Sequence, residues 1–155
     1  MNAKKMILLG LIVGVAVSLA QAASGEIFND HANARQQIAA AITEASRSHK
    51  NIVLDFGANW CPDCHALDAQ MRRGELGSII KRSFVVVPIS VGRWNINLDV
   101  AREYGVPLSR GIPALAILDS HGKLLYSMKQ GQFADARSMN PSGFVAFFKK
   151  WEPKR

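Results

Sequence analysis

The sequence predicts an α/β fold, a central mixed β-sheet flanked by helices, and three observations lead there. Segments of helical period alternate with short β-branched runs along the chain. The last two of those runs are separated by Ser120-His121-Gly122, a hairpin turn that adds an antiparallel pair to the sheet. The length suits one such domain: Met1–Ala22 reads as a leader, which leaves 133 of the 155 residues, enough for one core and too few for two.

Each element follows from its residues. His31 to Ser48 places Ala34, Ile38, Ala41, Ile42 and Ala45 at helical spacing, with Asp30 as the expected N-cap. Asn51 to Phe56 (NIVLDF) reads as a buried strand. Pro62 suits the first turn of a helix, and Asp63 to Met71 carries Leu67 and Met71 on one face. Gly74 and Gly77 are expected to break or bend the chain before Ser78 to Arg82. Phe84 to Val91 (FVVVPISV) is the strongest strand signal, and Pro88 within it argues for an edge position or a bulge. Asn97 to Tyr104 is predicted helical, stopping at Gly105. Ala114 to Asp119 and Lys123 to Met128 are the hairpin strands. Asn140-Pro141-Ser142 opens a last helix with Phe144, Val145, Phe147, Phe148 and Trp151 on its apolar side.

The first 22 residues stand apart from this pattern. Lys4 and Lys5 precede an almost unbroken apolar run, Met6 to Ala20, and Ala20-Gln21-Ala22 supplies small residues for a signal peptidase. A signal peptide over 1–22 and a domain over 23–155 are expected, with export across the inner membrane, into the periplasm if the source is a Gram-negative bacterium. An uncleaved anchor is the alternative, although the run falls short of the ~20 residues of a spanning helix. No cysteine lies near the cleavage region to carry a lipid. Losing Lys4 and Lys5 lowers the formal charge from +7 to about +5. The remaining basic residues are scattered, so nucleic acid is not an expected partner.

Charged residues make up 20% and hydrophobic ones 48%, which excludes a disordered chain. Cys61 and Cys64 are the only two cysteines, too few for a disulfide scaffold or a four-cysteine zinc site. Their C-x-x-C spacing at a helix start suits dithiol chemistry. The first thiol faces the unpaired N–H groups and dipole of the helix N-terminus, which favour a thiolate. The second lies one turn in, so Cys61 is the expected nucleophile and Cys64 the resolving thiol. A purely structural disulfide is the bland alternative, but so short a loop gives only roughly 2 kcal/mol in the chain-entropy model. Cys61-Pro62-Asp63-Cys64-His65 also matches the C-x-x-C-H pattern of c-type haem attachment, with Met71, Met128 or Met139 as conceivable axial ligands. The strands on both sides of the motif argue against that reading. Zinc lacks a clear fourth ligand, so neither a metal nor a cofactor is expected beyond the cysteine pair itself.

These residues resemble a known family. Leu54-Asp55-Phe56-Gly57-Ala58-Asn59-Trp60-Cys61-Pro62-Asp63-Cys64 is similar to the active-site segment of thioredoxins, with an acidic residue six positions before the first cysteine and a tryptophan directly before it. Arg110-Gly111-Ile112-Pro113 resembles the family's loop bearing a cis-proline, and Gly131 matches a family glycine. The similarity runs from about Ile27 to Trp151. It implies a thioredoxin fold and a thiol–disulfide oxidoreductase.

The resemblance also implies roles. Asp55, in an apolar strand, is expected to be buried with a raised pKa and to move protons for Cys64. A cis Ile112–Pro113 bond would set the Ile112 backbone beside Cys61 to pair with substrate chain. Trp60 and Pro62 complete the expected substrate contacts, Trp60 as a flat apolar surface or by packing alone. Several residues depart from the family pattern. Asp63 replaces part of the common Gly-Pro dipeptide, and its charge is expected to raise the Cys61 pKa, whereas a protonated His65 would act oppositely. Ala114 follows Pro113 where threonine is common. Pro88 or a neighbour stands where a buried lysine often accompanies the acid, which leaves Asp55 without a cation. The stretches 91–110, with Trp94, and 132–140 are longer than usual and suit either partner contacts or decoration. His31, His49 and His121 are expected to be solvated.

The expected reaction is reduction of protein disulfides, with protein thiols and disulfides as substrates, a membrane protein as candidate electron donor, and a monomeric state. An oxidase or isomerase, or a binding or assembly module without turnover, are the alternatives.

Overall fold

The computed structural model describes residues 26–154; the leader reading of Met1–Ala22 lies outside the described residues. Strand β1 (Asn51–Gly57) runs through the centre with all seven residues buried. It pairs in parallel with β2 (Phe84–Ser90) and in antiparallel with β3 (Ala114–Leu118). β3 carries β4 (Leu124–Ser127) antiparallel, giving the order β2-β1-β3-β4. The sheet is mixed for the expected reason: a helical crossover joins the parallel pair and a tight turn joins the last two strands. In that turn the Asp119 carboxylate accepts from the N–H groups of His121 and Lys123, each at 2.9 Å, and Gly122 takes φ +86°. β2 is an edge strand, where Pro88's missing N–H breaks no ladder.

Period-two alternation in β1 divides the core. Ile52, Leu54 and Phe56 face α1 (Ala34–Ser48), packing with Ile38, Ala41 and Ala45. Val53 faces the other way, with Leu115 and Ile117, toward Leu67 of α2 (Pro62–Met71), Ile79 of α3 (Gly74–Ser83) and Phe144 and Phe148 of α5 (Pro141–Lys150). The expected apolar side of the last helix is thus the buried one, with Val145, Phe147 and Trp151 at its margin. A short α4 (Leu98–Glu103) follows β2.

Three local expectations are corrected. Asp30 does not cap the first helix: Asn33 does, accepting from the Gln36 N–H at 3.1 Å, while Asp30 accepts from the Ser90 hydroxyl across the fold. Gly77 does not break its segment. It sits inside α3, where a Cβ would lie 2.9 Å from the Arg72 carbonyl carbon, so it permits close approach to the end of α2. The stretch 132–140 is partly core, because Phe133 and Ala136 are buried. Phe133 packs against Phe144 and Phe147, at 5.2 and 5.0 Å between ring centroids. His31, His49 and His121 are exposed, as expected.

Gly57 marks a close contact that positions the cysteines. A Cβ there would meet the Phe28 ring, 2.8 Å from Cε1, and would lie 3.0 Å from Cys64 Sγ. Gly57→Ala is expected to lower stability by about 1–3 kcal/mol through overpacking. A urea titration of the oxidised protein checks it; an unchanged midpoint shows that the ring moves aside freely.

Candidate active site

β1 delivers the chain to the site, and the turn after it starts α2. Cys61 is the N-cap of α2, in extended conformation, with Pro62 at the first helical position. The Cys64 N–H donates to Cys61 Sγ at 3.1 Å. A sulfur in this place receives the orphan donors of the first turn, which stabilise a thiolate over a thiol. Cys61 and Cys64 are at disulfide distance, with Cα atoms 5.3 Å apart, and they are 3% and 0% exposed.

The loop before β3 forms the opposite wall. The Ile112–Pro113 bond is cis, and the Ile112 carbonyl oxygen lies 3.6 Å from Cys61 Sγ. Gly111 (φ +101°) and Gly131 (φ +63°) shape this wall, Gly131 packing directly on the Arg110 carbonyl, where a side chain has no room.

Trp60 borders the pair, 43% exposed, and its Nε1–H donates to the Gly92 carbonyl at 2.8 Å. Trp94 meets it edge-on with ring centroids 5.7 Å apart. Beside them, Asn59 ties the active-site turn to the first described residues. Its Oδ1 accepts from the N–H groups of Ile27 (2.9 Å) and Phe28 (3.0 Å), and its Nδ2 donates to the Phe28 carbonyl at 2.7 Å. His65 donates from Nε2 to the Asn59 carbonyl at 2.7 Å.

Asp55 is 1% exposed, and neither carboxylate oxygen has a hydrogen-bond partner. Burial, helped by the nearby negative charge of Asp68, pushes its pKa up to about 7. Asp55 lies two residues from Gly57 on the same face of β1, the face whose Cβ direction meets Cys64 Sγ. Its register partner on β2 is Pro88, so the neighbouring strand supplies no cation beside it.

Asp63 differs from expectation. It is not a bare charge beside Cys61: it is buried, and its Oδ1 accepts from the Arg137 backbone N–H (3.0 Å) and Nε (3.1 Å). Burial alone pushes the Asp63 carboxyl up, but Arg137's donors and charge outweigh burial and hold it below the usual range. Arg137 comes from a 3₁₀ turn (Ala136–Ser138) within the 132–140 stretch. Removing its guanidinium leaves the Asp63 carboxylate, two residues from Cys61, with only the backbone N–H of residue 137. Arg137→Gln is expected to lower stability, read from a urea midpoint, and to raise the Cys61 pKa, read from thiolate absorbance against pH. Adding Asp63→Asn to it is expected to reverse the second effect; a Cys61 titration indifferent to both changes refutes the coupling.

The structure therefore gathers Trp60, Cys61, Pro62, Cys64, Ile112 and Pro113, with Asp55 behind them. Sequence reasoning missed Asn59, Asp68 and Arg137. The unpaired Asp63 within an otherwise apolar turn was the one available signal for Arg137. The C-x-x-C-H haem reading does not fit: the sulfurs are buried against each other and His65 Nε2 is engaged by Asn59. Among the described residues no three His, Cys, Asp or Glu side chains cluster for a metal.

A C-x-x-C pair capping a helix, on a sheet of this order and beside a cis-proline loop, defines a thioredoxin-fold thiol–disulfide oxidoreductase. The thioredoxin-like family model matches residues 33–120, more than half of the chain, and the chain belongs to that family. A disulphide isomerase from Xylella fastidiosa Temecula1 is similar in structure, with a TM-score of 0.77 and 41% identity over 83% of this chain and 98% of that one. The reduced C-terminal domain of Neisseria meningitidis DsbD shares the fold, with a TM-score of 0.54 and 21% identity over 81% of this chain and 100% of that one. Among curated proteins, a probable nucleoredoxin 3 from Oryza sativa subsp. japonica is 33% identical over 94 residues, 48% of this chain. The chain covers 20% of that relative's length.

Proposed function

We propose that this protein reduces protein disulfides outside the cytoplasm. The Cys61 thiolate attacks a substrate disulfide, forming a mixed disulfide and releasing one substrate thiolate. Cys64 passes its proton to Asp55 and attacks Cys61 Sγ, releasing the second substrate thiolate. The product is a Cys61–Cys64 disulfide, and the two electrons come from the dithiol, so no further cofactor is needed. Ile112 and Pro113 hold the substrate chain beside Cys61, and Trp60 and Pro62 border it. The observation that carries this reading is the buried, unpartnered Asp55 carboxyl, on the same strand face as Gly57, whose Cβ direction meets Cys64 Sγ; it supports Asp55 as a base for the second thiol.

Export rests on the leader composition of residues 1–22, and is checked by finding the mature N-terminus after Ala22 in a periplasmic fraction. A membrane electron-donor protein would then restore the dithiol of a monomeric enzyme. The test of direction is the reduction potential of the pair against glutathione. A value near about −270 mV supports a reductase, and one near about −120 mV reverses the direction to oxidation. Isomerisation is the second reading, supported by the 41% identity to a disulphide isomerase. Recovery of activity from a scrambled-disulfide protein, without net gain of thiols, identifies it.

A further inference from the structure

The connection between β2 and β3 builds a surface that disulfide exchange itself does not require. Of four large hydrophobic side chains exposed among the described residues, two, Trp60 and Trp94, lie together at the site, each 43% exposed. Exposed apolar area gathered in one place marks a contact surface, whereas scattered apolar residues do not. Trp94 is held there by a tightly bonded loop. The Gly92 N–H donates to the Ser90 hydroxyl at 3.0 Å, the Arg93 N–H to Asn95 Oδ1 at 2.9 Å and Asn97 Nδ2 to the Ser90 carbonyl at 2.8 Å. Trp94 (φ +66°) and Asn97 (φ +54°) both adopt the left-handed conformation. A bulky residue rarely sits there, and such conformations concentrate where a side chain is held for function.

Beside Trp94 lies a hollow of about 310 Å³, lined by Trp94, Leu98, Leu108, Ser109 and Gly111. Two of its lining residues adjoin the site: Gly111 precedes Ile112, whose carbonyl lies 3.6 Å from Cys61 Sγ, and Trp94 meets Trp60. A second hollow shares Leu98, Leu108 and Ser109 and reaches Arg102. The carboxylates nearest Arg102 in sequence, Asp99 and Glu103, are both taken by Arg35 of α1. Arg102 is exposed and forms no ion pair among the described residues. The trough is therefore apolar at Trp94, Leu98 and Leu108, with the unpaired guanidinium of Arg102 at its far end.

We infer that Trp94, Leu98 and Leu108 form a subsite for a large apolar side chain of a client polypeptide, and that Arg102 engages an acidic side chain farther along the same segment. An extended segment advances about 3.3–3.6 Å per residue, so a side chain that reaches Gly111, one residue before Ile112, belongs to a residue within about three of the reacting cysteine. A polypeptide is the occupant because the trough adjoins Trp60 and the Ile112 loop, which flank the sulfur that must meet a cysteine, and because Arg102, without an ion pair among the described residues, complements an acidic segment. The inference rests on the oxidoreductase reading.

The test uses the reduced protein, single-turnover conditions and symmetric disulfide-linked dimers of a short peptide. One peptide carries phenylalanine two residues from the cysteine and glutamate beyond it; the others replace phenylalanine with serine or glutamate with lysine. The wild type is expected to reduce the phenylalanine peptide at least about tenfold faster than the serine one, a difference of about 1.4 kcal/mol. Trp94→Ala is expected to bring that ratio near one, and Arg102→Glu to invert the preference between glutamate and lysine. A wild-type ratio near one, or ratios that survive both substitutions, overturns the subsite and leaves the oxidoreductase reading standing. No reaction with any peptide, while two free thiols titrate, overturns both. Sedimentation of the wild type as a dimer that Trp94→Ala disperses puts a second copy in the trough and overturns the client assignment.

Discussion

Changing Cys64 to serine is expected to stop turnover while leaving Cys61 able to capture its substrate. The serine hydroxyl cannot attack a disulfide at neutral pH, so the reaction halts at the mixed disulfide. Disulfide reduction falls by on the order of 10³-fold or more, the scale on which removing a reacting group acts. Substrate accumulates on Cys61 as a covalent adduct, read by mass spectrometry under non-reducing conditions. Cys61→Ser is expected to lose both turnover and adduct, because Cys64 is fully buried and cannot meet a bulky disulfide. Adducts on Cys64 in that variant would reverse the assigned order of the two thiols. A Cys64→Ser protein that keeps its full biological role would instead favour a binding or assembly module.

The strands were legible because burial on both faces leaves a compositional mark. NIVLDF, FVVVPISV and ALAILD are short, apolar and β-branched, and all three are strands. Pro88 was legible for the opposite reason: an absent N–H restricts where a residue can sit, and β2 is at an edge. The cysteine pair was legible as spacing, and the acid before it and the proline loop through their resemblance to the thioredoxin segments. Polar contacts between distant segments were not. Asp63 and Arg137 are 74 residues apart, and no periodicity connects them. Asp30 and Asn33 are both competent caps in isolation. Ser90, brought across the fold by β2, takes Asp30 and leaves the cap to Asn33. Gly77 misled because a glycine that breaks a helix and one that lets two helices touch look the same in one dimension.

Asp55→Asn is expected to make the oxidised protein more stable and the reduced enzyme slower, each effect with its own pH dependence. The carboxyl has an ordinary pKa of 3.8 and a folded value of about 7. Below pH 3.8 it is neutral in both states and costs nothing. Between 3.8 and about 7 the unfolded chain releases the proton and the folded chain keeps it, so stability falls as pH rises. Above about 7 the folded protein holds an uncompensated buried charge, and the loss levels off at about 4 kcal/mol. Asparagine removes the charge while keeping the shape, so its advantage is expected to be largest at pH 8 and to vanish below pH 4. Urea titrations across that range read the difference; a gap that stays constant with pH refutes the buried-charge account. The same carboxylate is the proposed base for Cys64, and losing a positioned base slows proton transfer by about 10²–10⁴-fold. Mixed-disulfide resolution in Asp55→Asn is therefore expected to fall most above pH 7, where the wild-type carboxyl is ionised, and least near pH 5, where it is already protonated. Asp55 thus destabilises the fold across the very pH range in which it can act as the proposed base for Cys64, the trade between stability and activity that such a role would entail.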